Sequence, residues 1–189
     1  MRDELEIKLV EKYPEIFRDY HGDIQQSAMP WGFSHGDGWY HIIDDLCATI
    51  TAQLRYAKAR KREIENVLAE EDKSEWNDWK KGYYTQERLD EINKEVEEEL
   101  NTIPIAMQVK EKFGTLRFYV HRATDEHYAL ISMAERMSTH TCEVCGDTNA
   151  QTWHMGWNQT LCMEHAVEKY GNEDVLQYLE DRLKGDDEE

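Results

Sequence analysis

The sequence predicts an α+β protein with a mainly helical body and a small cysteine-rich module near the carboxyl end. Three observations carry this prediction. Apolar residues recur at three- and four-residue steps through long stretches of residues 1–101, which is the period of amphipathic helices. Between residues 103 and 122 the period changes to two, as in paired strands. Three of the four cysteines then fall within residues 142–165.

The composition indicates a folded protein with an acidic surface. The chain has 189 residues, of which 40% are hydrophobic and 11% aromatic, enough to bury a core. Its 40 acidic and 22 basic side chains give a formal net charge of −18. Because such a field repels phosphate, we do not expect nucleic acid as a partner.

The sequence also indicates where the protein resides. No run approaches the roughly 20 apolar residues of a membrane span, so we expect no membrane association. The amino terminus is acidic and lacks the pattern of a secretory signal. We therefore expect a cytoplasmic protein, whose cysteines serve as metal ligands or core residues rather than forming disulfides.

The first half of the chain is predicted to be helical. A short helix spans residues 2–13 and ends near Pro14. Residues 21–38 contain four glycines and are predicted to form an irregular loop. A long helix over residues 39–71 follows. Its buried face carries apolar residues at helical spacing: Trp39, Ile43, Leu46, Ile50, Leu54 and Ala57.

A second helix, residues 85–101, is predicted to pack antiparallel to the long helix as a charged helical hairpin. Thr85 is its expected N-terminal cap. The connecting loop contains Trp76 and Trp79. Aromatic side chains at a protruding tip are suited to anchoring a partner protein, although packing against the hairpin itself explains them equally well.

Residues 103–122 predict a β-hairpin with two different faces. The inward face is expected to carry Ile105, Met107, Val109, Leu116, Phe118 and Val120. The outward face carries a cationic and aromatic set: Lys110, Arg117, Tyr119 and His121. Such a face is suited to a phosphate or a nucleotide, and an ordinary solvated sheet face is the alternative.

Two more helices are predicted after the β-hairpin. The first spans residues 124–138 and buries Tyr128, Ile131, Ala134 and Met137. The second spans residues 173–184, opens at Asn172, stops at Gly185 and buries Val175, Leu176, Leu179 and Leu183. These elements divide the chain into a body (1–138), a cysteine module (139–170) and a C-terminal helix with an acidic tail (171–189).

The cysteine module has the spacing of a metal site. Cys142 and Cys145 form a Cys-x-x-Cys pair that Gly146 follows, and Cys162 and His165 form a second x-x-spaced pair. A small hairpin is predicted between the pairs, and the second pair fits the first turn of a helix. Turn, hairpin and ligand-bearing helix in this order predict a treble-clef zinc finger.

Three thiolates and one imidazole favour one Zn²⁺ per chain and fill its tetrahedral shell, so we expect a structural rather than a catalytic ion. His140 and His154 are rival ligands, and a group of buried free thiols or a redox pair is the alternative. Cys47 lies on the apolar side of the long helix and is interpreted as a core residue.

The loop WGFSHGDGWYH is the other unusual segment. It places His35 and Asp37 next to glycines, a pair suited to acid–base work or to a second metal. The alternative is a tight aromatic loop in which Asp37 caps the following helix. No nucleophile or second carboxylate accompanies the pair, so the sequence favours a protein that is not an enzyme.

Three segments of this sequence occur together in one group of proteins. They are GDGWYHIIDDLC (36–47), QVKEKFGTLRFYV (108–120), and TCEVCG followed by GWNQTLCMEH. With them the chain resembles the uncharacterised small zinc-finger proteins of tailed phages and prophages. The resemblance covers residues 13–55 and 103–166 and implies an origin and a fold, since that group has no assigned activity. Residues 56–101 depart from its shorter members and are interpreted as an inserted charged helical hairpin.

The residues and the resemblance together predict a zinc-binding phage accessory protein that acts by binding a host or phage protein. Inhibition of a host defence protein is one form of that action. Two alternatives stay open. One is a binder or small enzyme for an anionic small molecule or nucleotide, which uses the GFSHGDGWY loop and the cationic hairpin face. The other is an acidic mimic of nucleic acid. The sequence leaves the oligomeric state open.

Overall fold

A computed structural model of the protein describes residues 1–186. These residues form eight α-helices, two one-turn 3-10 helices and two two-stranded antiparallel sheets, which confirms the α+β class. The helices are α1 (Asp3–Lys12), α2 (Tyr40–Ile50), α3 (Ala52–Leu68), α4 (Asp78–Tyr83), α5 (Gln86–Thr102), α6 (Asp125–Ser138), α7 (Met163–Tyr170) and α8 (Asn172–Asp186). The strands are β1 (Ile105–Lys112), β2 (Thr115–His121), β3 (Ala150–Trp153) and β4 (Gln159–Cys162).

The buried apolar side chains form two separate clusters. The larger cluster draws on α1, α2, α3, α5, α6, the β1–β2 hairpin and the loop before α2. The smaller cluster belongs to the cysteine module and includes one residue of α8, Val175. The metal-ligand candidates therefore lie in a part of the chain with its own small core.

The helix predicted over residues 39–71 is two helices, and this corrects the prediction. The chain breaks at Thr51, whose hydroxyl donates to the Cys47 carbonyl oxygen at 2.8 Å. This bond from a side chain to the preceding turn bends helices. The predicted inward face is nevertheless buried in full, from Trp39 to Ala57.

The helical hairpin is antiparallel, as predicted. Arg60 of α3 bonds both carboxylate oxygens of Glu95 on α5, each at 3.1 Å. Nearer the turn, the Tyr84 hydroxyl donates to Glu63 at 2.6 Å. The predicted cap is also present, because the Thr85 hydroxyl accepts a hydrogen bond from the backbone amide of Arg88.

The segment between α3 and α5, predicted to be a loop, contains the short helix α4. The side chain of Asn77 caps it by accepting from the Lys80 amide at 2.8 Å. The sequence did not predict this helix because Gly82 lies within it, and glycine lowers helix stability by about 1 kcal/mol relative to alanine.

The β1–β2 hairpin corrects the predicted alternation in its first strand. A bulge between Ala106 and Gln108 shifts the register, so Ala106 and Val109 enter the core together. Ile105 and Met107 are consequently only partly buried. In β2 the prediction agrees better, because Leu116 and Phe118 are buried and Val120 packs partly against the same core.

Two helices bury narrower faces than predicted. On α6, Ile131 and Ala134 are buried, whereas Tyr128 is 53% and Met137 44% exposed. On α8, Val175 is buried and Leu179 packs partly against the module, but Leu176 and Leu183 lie in solvent. Periodicity identifies an apolar stripe but not how much of it a neighbour covers, and the cysteine module is too small to cover all of α8.

The helix α8 also continues beyond its predicted end. It runs through Gly185 to Asp186, so this glycine does not terminate it. Residues 187–189 of the predicted acidic tail lie outside the described residues.

Candidate metal centre

The local backbone places the four predicted ligands on two elements. Cys142 and Cys145 lie on a turn that the Gly146 amide closes by donating to the Cys142 carbonyl oxygen at 2.9 Å. Gly146 adopts a φ of 81°, a conformation that favours glycine. Cys162 ends β4 and is the N-cap residue of α7, and His165 follows in the first turn of that helix.

The four donor atoms converge and could hold a metal ion. All of them lie within 4.8 Å of one another. Cys145 Sγ is 3.8 Å from Cys162 Sγ, and Cys142 Sγ is 3.7 Å from His165 Nδ1. A tetrahedral ion with metal–sulfur bonds of about 2.3 Å and a metal–nitrogen bond of about 2.0 Å requires sulfur–sulfur distances of about 3.8 Å and sulfur–nitrogen distances of about 3.5 Å. The 3.1 Å between Cys162 Sγ and His165 Nδ1 is shorter than the required sulfur–nitrogen distance.

The rival ligands lie elsewhere. Neither His140 nor His154 belongs to the cluster, and both are exposed. Cys47 is fully buried in α2, and burial raises the pKa of its thiol well above the ordinary value, as expected of an inert core residue.

The electrostatics of the cluster favour a bound cation. Burial raises the pKa of Cys142, but the backbone amides of Cys145, Cys162 and Val144 point at its sulfur and lower the pKa overall. Burial and the neighbouring Cys142 sulfur raise the pKa of Cys145 to about 11. One thiolate thus opposes ionisation of the next, and a divalent ion removes this opposition because it stabilises all the thiolates together.

The cysteine turn docks against the glycine-rich loop that precedes α2. The Gly38 amide donates to the Glu143 carbonyl oxygen at 2.8 Å, and Trp39 Nε1 donates to the Thr141 carbonyl oxygen at 2.8 Å. A methyl group at Gly38 would collide with the Cys142 carbonyl oxygen, so no larger residue fits there. The ligand turn is therefore held directly against the body.

Sequence reasoning overlooked Glu143, a second link between the two parts. Its Oε1 accepts from the Gly36 amide at 3.0 Å, and its Oε2 accepts from Gln159 Nε2 at 2.9 Å. The side chain is buried despite its charge. An acidic residue inside a Cys-x-x-Cys turn carries no sequence signal for such a role.

The structure places His35 and Asp37 in different surroundings. His35 is 7% exposed, and its Nδ1–H donates to the Gly36 carbonyl oxygen at 2.7 Å. Burial lowers the pKa of His35 to about 4. Asp37 instead accepts hydrogen bonds from the amide and the guanidinium of Arg2. It lines a surface cleft to which His35 does not contribute.

The outward face of the β1–β2 hairpin does bring its predicted residues together. Lys110 pairs with Arg117 across the strands, and its ammonium lies 5.6 Å from the centre of the Tyr119 ring. His121 is exposed at the end of β2. Arg117 has a partner, since its guanidinium lies 3.8 Å from Glu135 of α6. Lys110 is therefore the main source of positive charge on this face.

The tryptophans at the end of the helical hairpin have different environments. Trp76 is 8% exposed, and its Nε1 donates to Glu70 at 2.9 Å. Trp79 is 66% exposed and stacks on Tyr83, with ring centres 5.4 Å apart and an interplanar angle of 10°. Trp76 packs within the hairpin, whereas Trp79 presents an aromatic surface.

Comparison with protein-family models, with curated proteins and with solved structures finds no match. The resemblance to small phage proteins therefore stays a prediction.

Within residues 1–186, none of the helices combines the length and the apolar character that crossing a bilayer requires.

Replacing one ligand should remove the metal. We expect about one ion per chain in the unaltered protein and much less than one in Cys142→Ser, because three donors hold the ion far more weakly than four. Elemental analysis by mass spectrometry measures this. Cys47→Ala is the matched control, since it removes an equally buried thiol outside the cluster. Equal metal content in Cys142→Ser and in the control would contradict the assignment.

Acid should destabilise the fold partly through His35. Its pKa is about 4 in the folded protein and 6.5 in an exposed chain, so between these values the unfolded state binds more protons. The contribution of neutral His35 is complete above pH 6.5 and is lost as the pH falls towards 4, about 3 kcal/mol in all. Denaturant titrations should show a shallower pH dependence for His35→Phe. Parallel profiles for the two proteins would exclude this role.

Proposed function

We propose that the module at residues 139–170 is a treble-clef zinc finger whose ion is structural. The observation that carries this proposal is the closed set of four donors, Cys142, Cys145, Cys162 and His165, within 4.8 Å of one another. The order of turn, β3–β4 hairpin and ligand-bearing α7 supports the finger type. Four protein ligands leave no position for a reactive water, so the ion fastens the module rather than catalysing a reaction.

We propose that the whole protein, with this structural ion, is a phage accessory protein of the host cytoplasm that binds another protein. The support is the stacked pair Trp79–Tyr83, exposed on α4 at the end of the helical hairpin. Exposed tryptophan and tyrosine are the side chains that contribute most to protein–protein binding. A host or phage protein is the proposed partner, and inhibition of a host defence protein is one outcome of such binding.

An enzyme built on the GFSHGDGWY loop and a mimic of nucleic acid have less support. Such an enzyme needs His35 and Asp37 in one accessible site, and these residues lie in different surroundings. A nucleic-acid mimic needs an uninterrupted row of carboxylates. On α5, however, Glu95 is bonded to Arg60, and Glu91 is bonded to Arg88 on the same helix.

Removing the exposed aromatic pair should abolish partner binding. The protein is immobilised and exposed to host lysate in parallel with the double variant Trp79→Ala/Tyr83→Ala. We expect one host protein to be retained by the unaltered chain and lost with the variant. With that protein purified, the Kd should rise about 30-fold or more, as for other central aromatic contacts.

Trp31→Ala is the control, because Trp31 is 71% exposed and has no part in the proposed surface. It should retain the partner with unchanged affinity. If all three proteins retain the same set of host proteins, the helical-hairpin tip is not the binding surface.

A further inference from the structure

The tips of the two β-hairpins enclose a cleft that the metal centre does not explain. Its volume is about 510 Å³. One side is formed by the end of β1 and its turn, with Lys110, Lys112 and Phe113. The other side is formed by the turn between β3 and β4, with Gly156, Trp157 and Asn158. Small-molecule sites of proteins commonly have volumes in this range.

The two walls are fixed relative to each other. The Thr160 hydroxyl of β4 donates to the Gly114 carbonyl oxygen at 2.6 Å. A Cβ atom at Gly114 would lie 2.7 Å from Cγ2 of Thr152, so the hairpins meet too closely for a larger residue. The cleft is therefore formed before any ligand arrives, which lowers the entropic cost of binding.

Phe113 occupies its turn at a cost in stability. Phe113 and Gly114 have φ angles of 56° and 82°, as in a type I′ turn. Asparagine and glycine suit both central positions of such a turn, whereas a bulky side chain is strained in the left-handed region. Burial does not offset the strain, because the Phe113 side chain is 67% exposed. Strained residues of this kind cluster at ligand-binding sites.

A second exposed ring belongs to the opposite wall. Trp157, one of the six tryptophans of the chain, is 70% exposed, whereas tryptophan side chains are on average highly buried. Its carbonyl oxygen accepts a hydrogen bond from the Tyr170 hydroxyl at 3.4 Å, which ties the turn to α7. The cleft thus carries one large aromatic surface on each side.

The cleft is cationic within an acidic protein. Among the side chains that the structure describes, no carboxylate lies within ion-pair distance of Lys110 or Lys112. The intervening Glu111 is engaged in the turn, where it accepts from the Gly114 amide at 2.6 Å. Two ammonium groups beside two exposed rings complement a ligand that is both anionic and aromatic.

We propose that this cleft binds a free nucleoside phosphate. The base stacks on Phe113 and Trp157, and the phosphate groups meet the ammonium groups of Lys110 and Lys112. This site is distinct from the metal centre and from the exposed Trp79–Tyr83 pair, so it adds a function to the proposed protein binding.

The net charge selects a free nucleotide over a nucleic-acid strand. A base and its own phosphates fit within the cationic cleft, but a strand places further phosphates over the rest of a surface with a formal charge of −18. Each such phosphate is repelled. A single-stranded oligonucleotide should therefore bind more weakly than a mononucleotide, the reverse of the order in proteins that bind single strands.

Isothermal titration calorimetry with four probes tests the ligand class. We expect adenosine diphosphate to bind. Adenosine, which lacks the charge, and pyrophosphate, which lacks the ring, should each bind about tenfold more weakly or worse. An oligodeoxynucleotide should also bind more weakly. Absence of binding by adenosine diphosphate, or tighter binding of the oligonucleotide, would overturn the proposal.

Phe113→Asn separates a binding role from a structural one. Asparagine relieves the strained turn, so thermal unfolding should occur at the same or a higher temperature, whereas affinity for adenosine diphosphate should fall about tenfold. Trp157→Ala and the double variant Lys110→Ala/Lys112→Ala should lose affinity to a similar extent. Trp31→Ala and Lys94→Ala, exposed residues outside the cleft, are the matched controls and should bind normally. If Phe113→Asn lowers the unfolding temperature and binds normally, Phe113 supports the fold and the proposal fails.

Discussion

The close approach of two backbone segments, the glycine-rich loop before α2 and the cysteine turn, is the constraint on which the rest of the structure depends. At their contact, Gly38 has no room for a side chain beside Cys142, and a Cβ atom at Gly146 would lie 3.0 Å from the Gly38 carbonyl oxygen. Hydrogen bonds from Gly38 and Trp39 to the module complete the contact. The turn that carries two of the candidate metal ligands is thereby part of the wall of the helical body.

This contact gives a metal ion effects beyond its own module. The module has only a small core. Without a bound ion, few contacts would hold its ligand turn in a single conformation. The contacts of Gly38 and Glu143 make the conformation of the loop before α2 depend on the conformation of that turn. Through Thr160 and Gly114 the module also positions the β1–β2 hairpin, and with it the cleft beside Phe113. One ion can in this way organise surfaces that it does not touch.

The sequence predicted well those features that depend on near neighbours in the chain. The spacing of Cys142, Cys145, Cys162 and His165 identified the ligand group, and Thr85 marked the start of α5. Features set by tertiary contacts were missed or wrong. The bulge at Ala106, the break at Thr51 and the exposure of Tyr128 and Met137 depend on which neighbours cover each face. The role of Glu143 likewise depends on its contact with Gly36, more than a hundred positions away in the chain.

Hydrogen exchange with and without the metal tests the central claim most directly. A chelator removes the ion, and amide protection is followed by mass spectrometry in the module and in residues 32–39 of the body. We expect protection to fall in both segments together, because the amides of Gly36 and Gly38 donate to Glu143 of the ligand turn. Loss of protection confined to the cysteine module, with residues 32–39 unchanged, would contradict it.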